Sequence, residues 1–171
     1  MDERAESGAR LKQAVKAAFG GLVYPGDANL VYDSSGAHFE CNQVREFFKG
    51  KSWLDITLDA LLAGYNGDAS ACLNFMTPEA FRYYLPSYLF IAIDRFKESD
   101  VIPYSLVWKL TAPEHPGPDM DWFLSRVEGL NSEQRRVIIQ FLEFMRTAHA
   151  EHFFNDDPGI ALKRYWSKAA A

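Results

Sequence analysis

The chain has 171 residues, of which 48% are hydrophobic and 15% aromatic, and 23 acidic against 18 basic residues leave a formal charge of −5. These values predict one ordered domain that needs neither a metal nor a disulfide to fold. They argue against direct nucleic-acid binding, which needs clustered lysine and arginine. The N-terminus lacks the pattern of a secretory signal, and no stretch approaches the ~20 apolar residues of a membrane span. We therefore expect a cytoplasmic protein that makes no membrane contact.

The first part of the chain, residues 1–39, is predicted to be the less regular part. A first helix is expected over about 3–19, before Gly20-Gly21. Further helices are expected over about 40–48 and 52–65, with Ser52 as the cap of the second. The short segment 72–76 is predicted to be extended.

A central helix is predicted from Thr77 onward. Thr77 is a suitable N-cap, and Pro78 follows at the first helical position, where a missing N–H costs nothing. Apolar residues then recur at helical spacing on nearly every face, which is typical of a buried helix. Pro86 interrupts the pattern without changing its phase, so we expect a kinked or tightly broken helix there and not a loop. The tyrosines of this helix need hydroxyl partners if they are buried.

The remaining elements are also helical. A short helix over about 102–110 precedes residues 111–119, whose three prolines predict a surface loop. Helices are expected over about 120–128, from the Asn131 and Gln134 capping box to about 153, and from Asp157 onward. The predicted fold is mainly α, a single compact multi-helix domain over residues 1–171 around a buried, proline-kinked central helix.

The segment Phe75–Leu89 includes the sequence Tyr-Tyr-Leu-Pro-Ser-Tyr-Leu. Together with the Trp53-Leu54 pair and the helix start at Leu130–Gln134, it resembles an uncharacterised bacterial family, a domain of unknown function. The resemblance covers about residues 40–145. It implies a bacterial source and a helical fold, and it carries no established activity and no catalytic residues.

The best metal-ligating pattern is His149 and His152, followed by Asp156. Two histidines three positions apart share a face of an α-helix and can approach one ion. The spacing matches no known zinc or di-iron motif, and histidines at a helix end also interact favourably with its dipole. We expect no metal site and no cofactor, and we keep these three residues as the metal candidates.

Acidic and aromatic residues of the second half form the other candidate site. Most of the aromatic residues Trp108, Trp122, Tyr165 and Trp166 should be core, but any that are exposed beside the acids of 114–121 or 151–157 would mark a protein-binding patch. The residues that we assign to such a patch are Glu114, Asp119, Asp121, Trp122, Asp156 and Asp157. No catalytic motif is present, and we assign no catalytic residue.

Two classes of function remain. The first is a small acidic binding protein that acts by stoichiometric contact with a protein, and its most concrete form is an immunity or antitoxin-type inhibitor of a basic toxin or nuclease. The second is an enzyme or a small-ligand or metal-binding protein, with a site near the Pro86 kink or at His149 and His152. A regulatory scaffold of unknown partner is a third hypothesis.

Overall fold

The computed structural model describes residues 3–169, and over that range the fold is all-helical. The only strand-type pairing within that range is an isolated antiparallel bridge between Val31 and Met76. The predicted mainly α class is therefore confirmed. The chain divides into two compact units, one formed by the segment up to Gly21 with the chain from Tyr104 onward, and the other by Leu22–Pro103. Along residues 3–169, no helix combines the length and the apolarity that crossing a bilayer requires.

The helices account for most of the chain. In chain order they are α1 (Glu3–Phe19), α2 (Phe39–Phe48), α3 (Leu58–Gly64), α4 (Pro78–Asp94), α5 (Ile102–Lys109), α6 (Pro118–Val127), α7 (Ser132–Ala148) and α8 (Asp157–Ala161). A π-helical turn, Leu162–Trp166, follows α8 and leads into a last helical turn, Ser167–Ala169. Short 3-10 turns lie at Asp27–Asn29, Trp53–Asp55, Cys72–Phe75 and Ala150–His152.

The central helix α4 is buried along most of its length, as the sequence predicts. The Thr77 hydroxyl accepts the Ala80 N–H at 3.1 Å and donates to the Asn29 carbonyl at 2.8 Å, so the predicted cap also joins the helix to an earlier segment. Helix α4 continues through Pro86 without a break. A proline inside a helix removes one backbone hydrogen bond, and the burial of its neighbours offsets that loss.

The hydroxyls around Pro86 are used by main-chain carbonyls. Tyr84 donates to the Phe48 and Lys51 carbonyls at 3.0 and 2.8 Å. Tyr88 donates to the carbonyl of Ala69 at 2.9 Å, and Ser87 donates to the carbonyl of Trp53 at 2.5 Å. Burial raises the pKa of both Tyr84 and Tyr88. These bonds join α4 to the segments before it and satisfy polar groups that would otherwise be buried without partners.

Two sequence predictions in this unit are wrong. Ser52 caps the 3-10 turn Trp53–Asp55 in a capping box with Asp55, and α3 has its own cap, Thr57, whose hydroxyl accepts the Ala60 N–H. The predicted extended segment 72–76 is a 3-10 turn over Cys72–Phe75. At the first place, capping bonds divide a stretch that the apolar pattern presents as continuous. At the second, the Asn74 N–H donates to the Ala71 carbonyl at 2.9 Å, which closes the backbone into a turn.

Helix α7 is the core element of the other unit, and α1 packs along it. The predicted capping box is present, because Asn131 accepts the Gln134 N–H at 2.9 Å and Gln134 accepts the Asn131 N–H at 3.0 Å. The Gln134 amide also donates to the Ala18 carbonyl of α1 at 3.3 Å. The buried stripe of α7 includes the predicted residues Val137, Ile138, Phe141, Leu142 and Met145.

The junction between α7 and α8 is held by a charged pair. Arg146 near the end of α7 donates to both carboxylate oxygens of Asp156, at 2.8 and 2.6 Å. Asp156 has a left-handed backbone with φ of 53° and caps α8 by accepting the Gly159 N–H at 3.3 Å. A Cβ on Gly159 would lie 2.2 Å from an Asp156 carboxylate oxygen, so only glycine fits there without displacing the pair.

We predict that Tyr84→Phe lowers the free energy of unfolding by about 1 to 3 kcal/mol, because it removes the buried hydroxyl that satisfies two carbonyls. Tyr83→Phe is the matched control. Tyr83 is a neighbouring buried residue of α4 whose ring packs edge-on to Tyr84, and its hydroxyl makes no hydrogen bond within the described residues. Urea denaturation measures both. Equal losses in the two variants would show that the hydroxyl bonds of Tyr84 do not stabilise the fold.

We also predict that Gly159→Ala destabilises the protein by about 1 to 3 kcal/mol, the usual cost of inserting a methyl group where no space exists. Gly21→Ala is the control, because a Cβ at that position meets no atom within 4 Å. Thermal denaturation compares the two. A Gly159→Ala variant as stable as Gly21→Ala would contradict the structure of the Asp156 cap.

Candidate functional site

The unit that includes Tyr104 onward contains a pocket of about 560 Å³, which we call the aromatic pocket. Its walls come from α5, the segment that follows α5, α6, and the region from Phe153 to the π-helical turn. Its lining residues are Tyr104, Trp108, Lys109, Thr111, Ala112, Pro113, Asp119, Trp122, Phe123, Phe153, Asp157, Ile160 and Arg164. Five of these side chains are aromatic, which is typical of binding sites that fix a partner by packing.

Helix α5 contributes two exposed rings. Tyr104 and Trp108 are four residues apart, so they lie on one face of the helix. Trp108 is 67% exposed and Tyr104 is 37% exposed. The Tyr104 ring packs on the buried Phe153 with ring centres 5.2 Å apart. A tryptophan of this exposure leaves a large apolar surface in contact with water. Exposed apolar surface of this kind is typical of a site that another molecule covers.

Helix α6 contributes a carboxylate and an indole. It begins at Pro118 after Gly117, whose φ of 146° lies in the region that favours glycine. The start of the helix places Asp119 and Trp122 on the pocket. The Arg126 guanidinium carbon lies 3.6 Å from the centre of the Trp122 ring. Burial lowers the pKa of Arg126 to about 10, which leaves the guanidinium charged at neutral pH.

The third wall contains Asp157 and Ile160 of α8 and Arg164 of the π-helical turn. Arg164 pairs with Glu114 and donates to the Ala112 carbonyl at 3.3 Å. These two contacts hold the proline-rich segment against the turn. The wide turn of a π-helix also occurs often at functional sites.

A buried lysine completes the lining. Lys109 is only 3% exposed, and its ammonium donates to the Ser105 hydroxyl one turn earlier in α5. Lysine is almost never this buried unless it is paired. Lys109 therefore contributes mainly its aliphatic stem and a partnered charge to the pocket.

The structure brings together three of the six residues that the sequence assigns to a partner-binding patch. Asp119, Trp122 and Asp157 all line the aromatic pocket. Glu114 lies next to it through its pair with Arg164. Asp121 is exposed but is not among the lining residues, and Asp156 is engaged by Arg146 and Gly159 in the α8 cap.

The metal candidates do not form a ligand set. Helix α7 ends at Ala148, because His149 leaves helical geometry with φ of −132°, so the predicted helix to about 153 is wrong. The rings of His149 and His152 have their centres 6.3 Å apart, and Asp156 is bound by Arg146. Among residues 3–169, no three His, Cys, Asp or Glu side chains are grouped so that they could hold a metal ion.

The other unit has an apolar groove of about 670 Å³ between α2 and α3, lined by Phe39, Phe47 and Tyr65 among others. Its two charged lining residues already have partners. Glu46 pairs with Lys49 at 2.6 Å, and the Lys51 ammonium donates to the Phe47 carbonyl and lies 4.6 Å from the Phe47 ring centre. The charged side chains of this groove are therefore both engaged in contacts within the fold.

Sequence reasoning missed Tyr104 and Lys109 as parts of a site, and it expected most of the tryptophans to be core. Trp166 is fully buried and donates to the Leu110 carbonyl at 2.7 Å, whereas Trp108 is exposed. The helix that carries Trp108 is apolar on several faces, so periodicity alone does not show which face stays open. The acidic residues that follow Trp108 in the chain were the one feature of the sequence that indicated a site.

The comparisons with known proteins identify a family and no activity. The chain has no significant match among curated proteins or among solved structures. It does match the family of unknown function DUF6714 over residues 9–170, which is nearly its whole length. The predicted resemblance to an uncharacterised family is thus supported. The chain belongs to the family of unknown function DUF6714.

Proposed function

We propose that the protein acts by stoichiometric contact with a basic protein partner, and that the aromatic pocket is the centre of the contact. The observation that carries the proposal is Trp108, which is 67% exposed on a pocket that also contains Trp122 and two carboxylates. Tryptophan and tyrosine are enriched among the few residues that dominate binding energy. A rim of charged side chains around such rings is the usual arrangement of a protein interface.

Electrostatics supports a basic partner. The chain has a formal charge of −5, and the acids Glu114, Asp119, Asp121 and Asp157 lie within or close in sequence to the walls of the pocket. Opposite charges on two partners accelerate their encounter, and this acceleration falls as salt is added. The most specific form of the proposal is an immunity or antitoxin-type protein in the bacterial cytoplasm that covers the active site of a toxin such as a nuclease.

Two other hypotheses have less support. An enzyme or ligand-binding protein with a site at Pro86 would need free polar groups there, yet the Tyr84, Ser87 and Tyr88 hydroxyls donate to carbonyls. A regulatory scaffold would use the same kind of surface as an inhibitor. It differs in the partner, which would keep its activity when bound.

We predict that tagged wild-type protein captures one basic partner from cells of the source organism, and that the purified partner binds at sub-micromolar Kd. Trp108→Ala should weaken this binding at least about thirtyfold, the effect of removing a hot-spot residue worth about 2 kcal/mol. Binding is measured by calorimetry at low and high salt, and it should weaken with salt. For the inhibitor form, one equivalent of protein should also abolish the activity of the partner.

Phe154→Ala is the matched control, because Phe154 is an exposed aromatic residue, 93% accessible, that does not line the pocket. It should bind the partner like the wild type. Failure to obtain a partner of sub-micromolar affinity would overturn the proposal. Equal losses in Trp108→Ala and Phe154→Ala would show that the pocket is not the centre of the contact.

The metal alternative makes a separate prediction. If His149 and His152 bind a metal, protein purified without an affinity tag should contain close to one equivalent of it, and His152→Ala should lose it while the circular dichroism spectrum stays unchanged. We expect no stoichiometric metal in either protein, because Arg146 already engages Asp156. Elemental analysis of the two proteins decides between the expectations.

A further inference from the structure

The exposed charged residues that line the aromatic pocket are both acidic. Of its two basic lining residues, Arg164 is paired with Glu114, and Lys109 is buried with its ammonium donating to Ser105. The two acidic lining residues, Asp119 and Asp157, are exposed. Within residues 3–169, neither carboxylate takes part in an ion pair or accepts a hydrogen bond. The pocket therefore presents two unpaired carboxylates to solvent, whereas its two cations are engaged within the fold.

The rings are suited to a cation. The face of an indole attracts cations through its quadrupole, and arginine stacks on aromatic faces better than lysine does. One lining ring already makes such a contact, because the guanidinium of Arg126, which does not itself line the pocket, lies over Trp122. Trp108 is 67% exposed, so the geometry leaves its surface available to a group from outside.

The edges of the pocket are held in place, which reduces the cost of binding. Tyr104 packs on Phe153, and Arg164 holds the segment at Ala112 and Glu114. The start of α8, which supplies Asp157, is fixed by the Arg146 and Asp156 pair. Side chains that are already ordered lose little entropy when a ligand arrives.

Building on the proposed function, we propose that the aromatic pocket receives a single arginine side chain of the protein partner. The guanidinium of that arginine stacks on the exposed ring of Trp108, beside Trp122, and pairs with Asp119 and Asp157. Arginine fits both features, because it presents five donors and a flat face, whereas a lysine ammonium is compact and strongly hydrated. An acidic side chain would instead meet two unpaired carboxylates.

The probes for this proposal are three capped tripeptides, Gly-Arg-Gly, Gly-Lys-Gly and Gly-Glu-Gly, added to the full chain at up to roughly 10 mM, a range that detects weak binding. The indole N–H resonances are followed by NMR. The arginine peptide should shift the Trp108 and Trp122 resonances and leave buried Trp166 unchanged. The lysine peptide should bind more weakly, and the glutamate peptide should cause no shift.

Asp119→Asn should weaken binding of the arginine peptide about fivefold, the upper end expected for an exposed charge pair. Asp121→Asn is the matched control, because Asp121 lies in the same first turn of α6 without lining the pocket. It should bind like the wild type. The inference would be overturned if the arginine peptide caused no shift of the indole resonances, or if the glutamate peptide bound. It would also be overturned if the two substitutions changed the affinity for the arginine peptide equally.

The outcomes separate this inference from the proposed function. A protein partner that binds through Trp108, combined with no response to the arginine peptide, would overturn the arginine occupant and leave the partner proposal standing. A pocket that binds the arginine peptide, combined with no protein partner of sub-micromolar affinity, would uphold the chemistry of the pocket and overturn the partner proposal.

Discussion

The Asp156 carboxylate binds Arg146 and accepts the Gly159 N–H that caps α8, and α8 forms part of one wall of the aromatic pocket. Asp156 has a left-handed backbone, and its carboxylate lies where a Cβ on residue 159 would have to displace it. The chain then turns through α8 into a π-helical turn that places Arg164 beside Ala112 and Glu114. A charged pair outside the pocket thus positions the acid and the cation within it.

Two tryptophans of the same unit differ in their burial, and this difference indicates function. Trp166 is buried and has a carbonyl partner, whereas Trp108 is largely exposed on a pocket with unmatched carboxylates. Exposing an indole forgoes the stabilisation of its burial. A partner that covers the ring recovers that free energy on binding, which is why such rings dominate the energetics of interfaces.

Local sequence chemistry predicted much of the fold. The caps at Thr77 and Asn131 were predictable because a hydroxyl or amide before an apolar run can accept the first free N–H groups. The buried α4 was predictable because apolar residues occupy nearly all its faces. The end of α7 was not, since His149 continues the pattern while its backbone leaves the helix. The left-handed Asp156 was also missed, because nothing in the local sequence indicates the contact of its carboxylate with Arg146, ten residues away.

The candidate site was only half predictable, because a pocket is a tertiary feature. Asp119 and Trp122 were selected from the sequence as an acid and a ring near one another in the chain, and Asp157 as one of the acids of the separate segment 151–157. Tyr104 and Lys109 are recognisable as lining residues only in the folded structure, because the sequence of an apolar eight-residue helix does not indicate which of its faces remains exposed. Asp156 was selected for its charge, and the structure uses that charge within the fold.

Hydrogen–deuterium exchange of the protein with and without its captured partner tests the central claim most directly. If the aromatic pocket is the contact, amides in residues 104–113, 118–123 and 153–164 should become protected in the complex. Protection confined to residues 39–66, the groove between α2 and α3, would contradict the account.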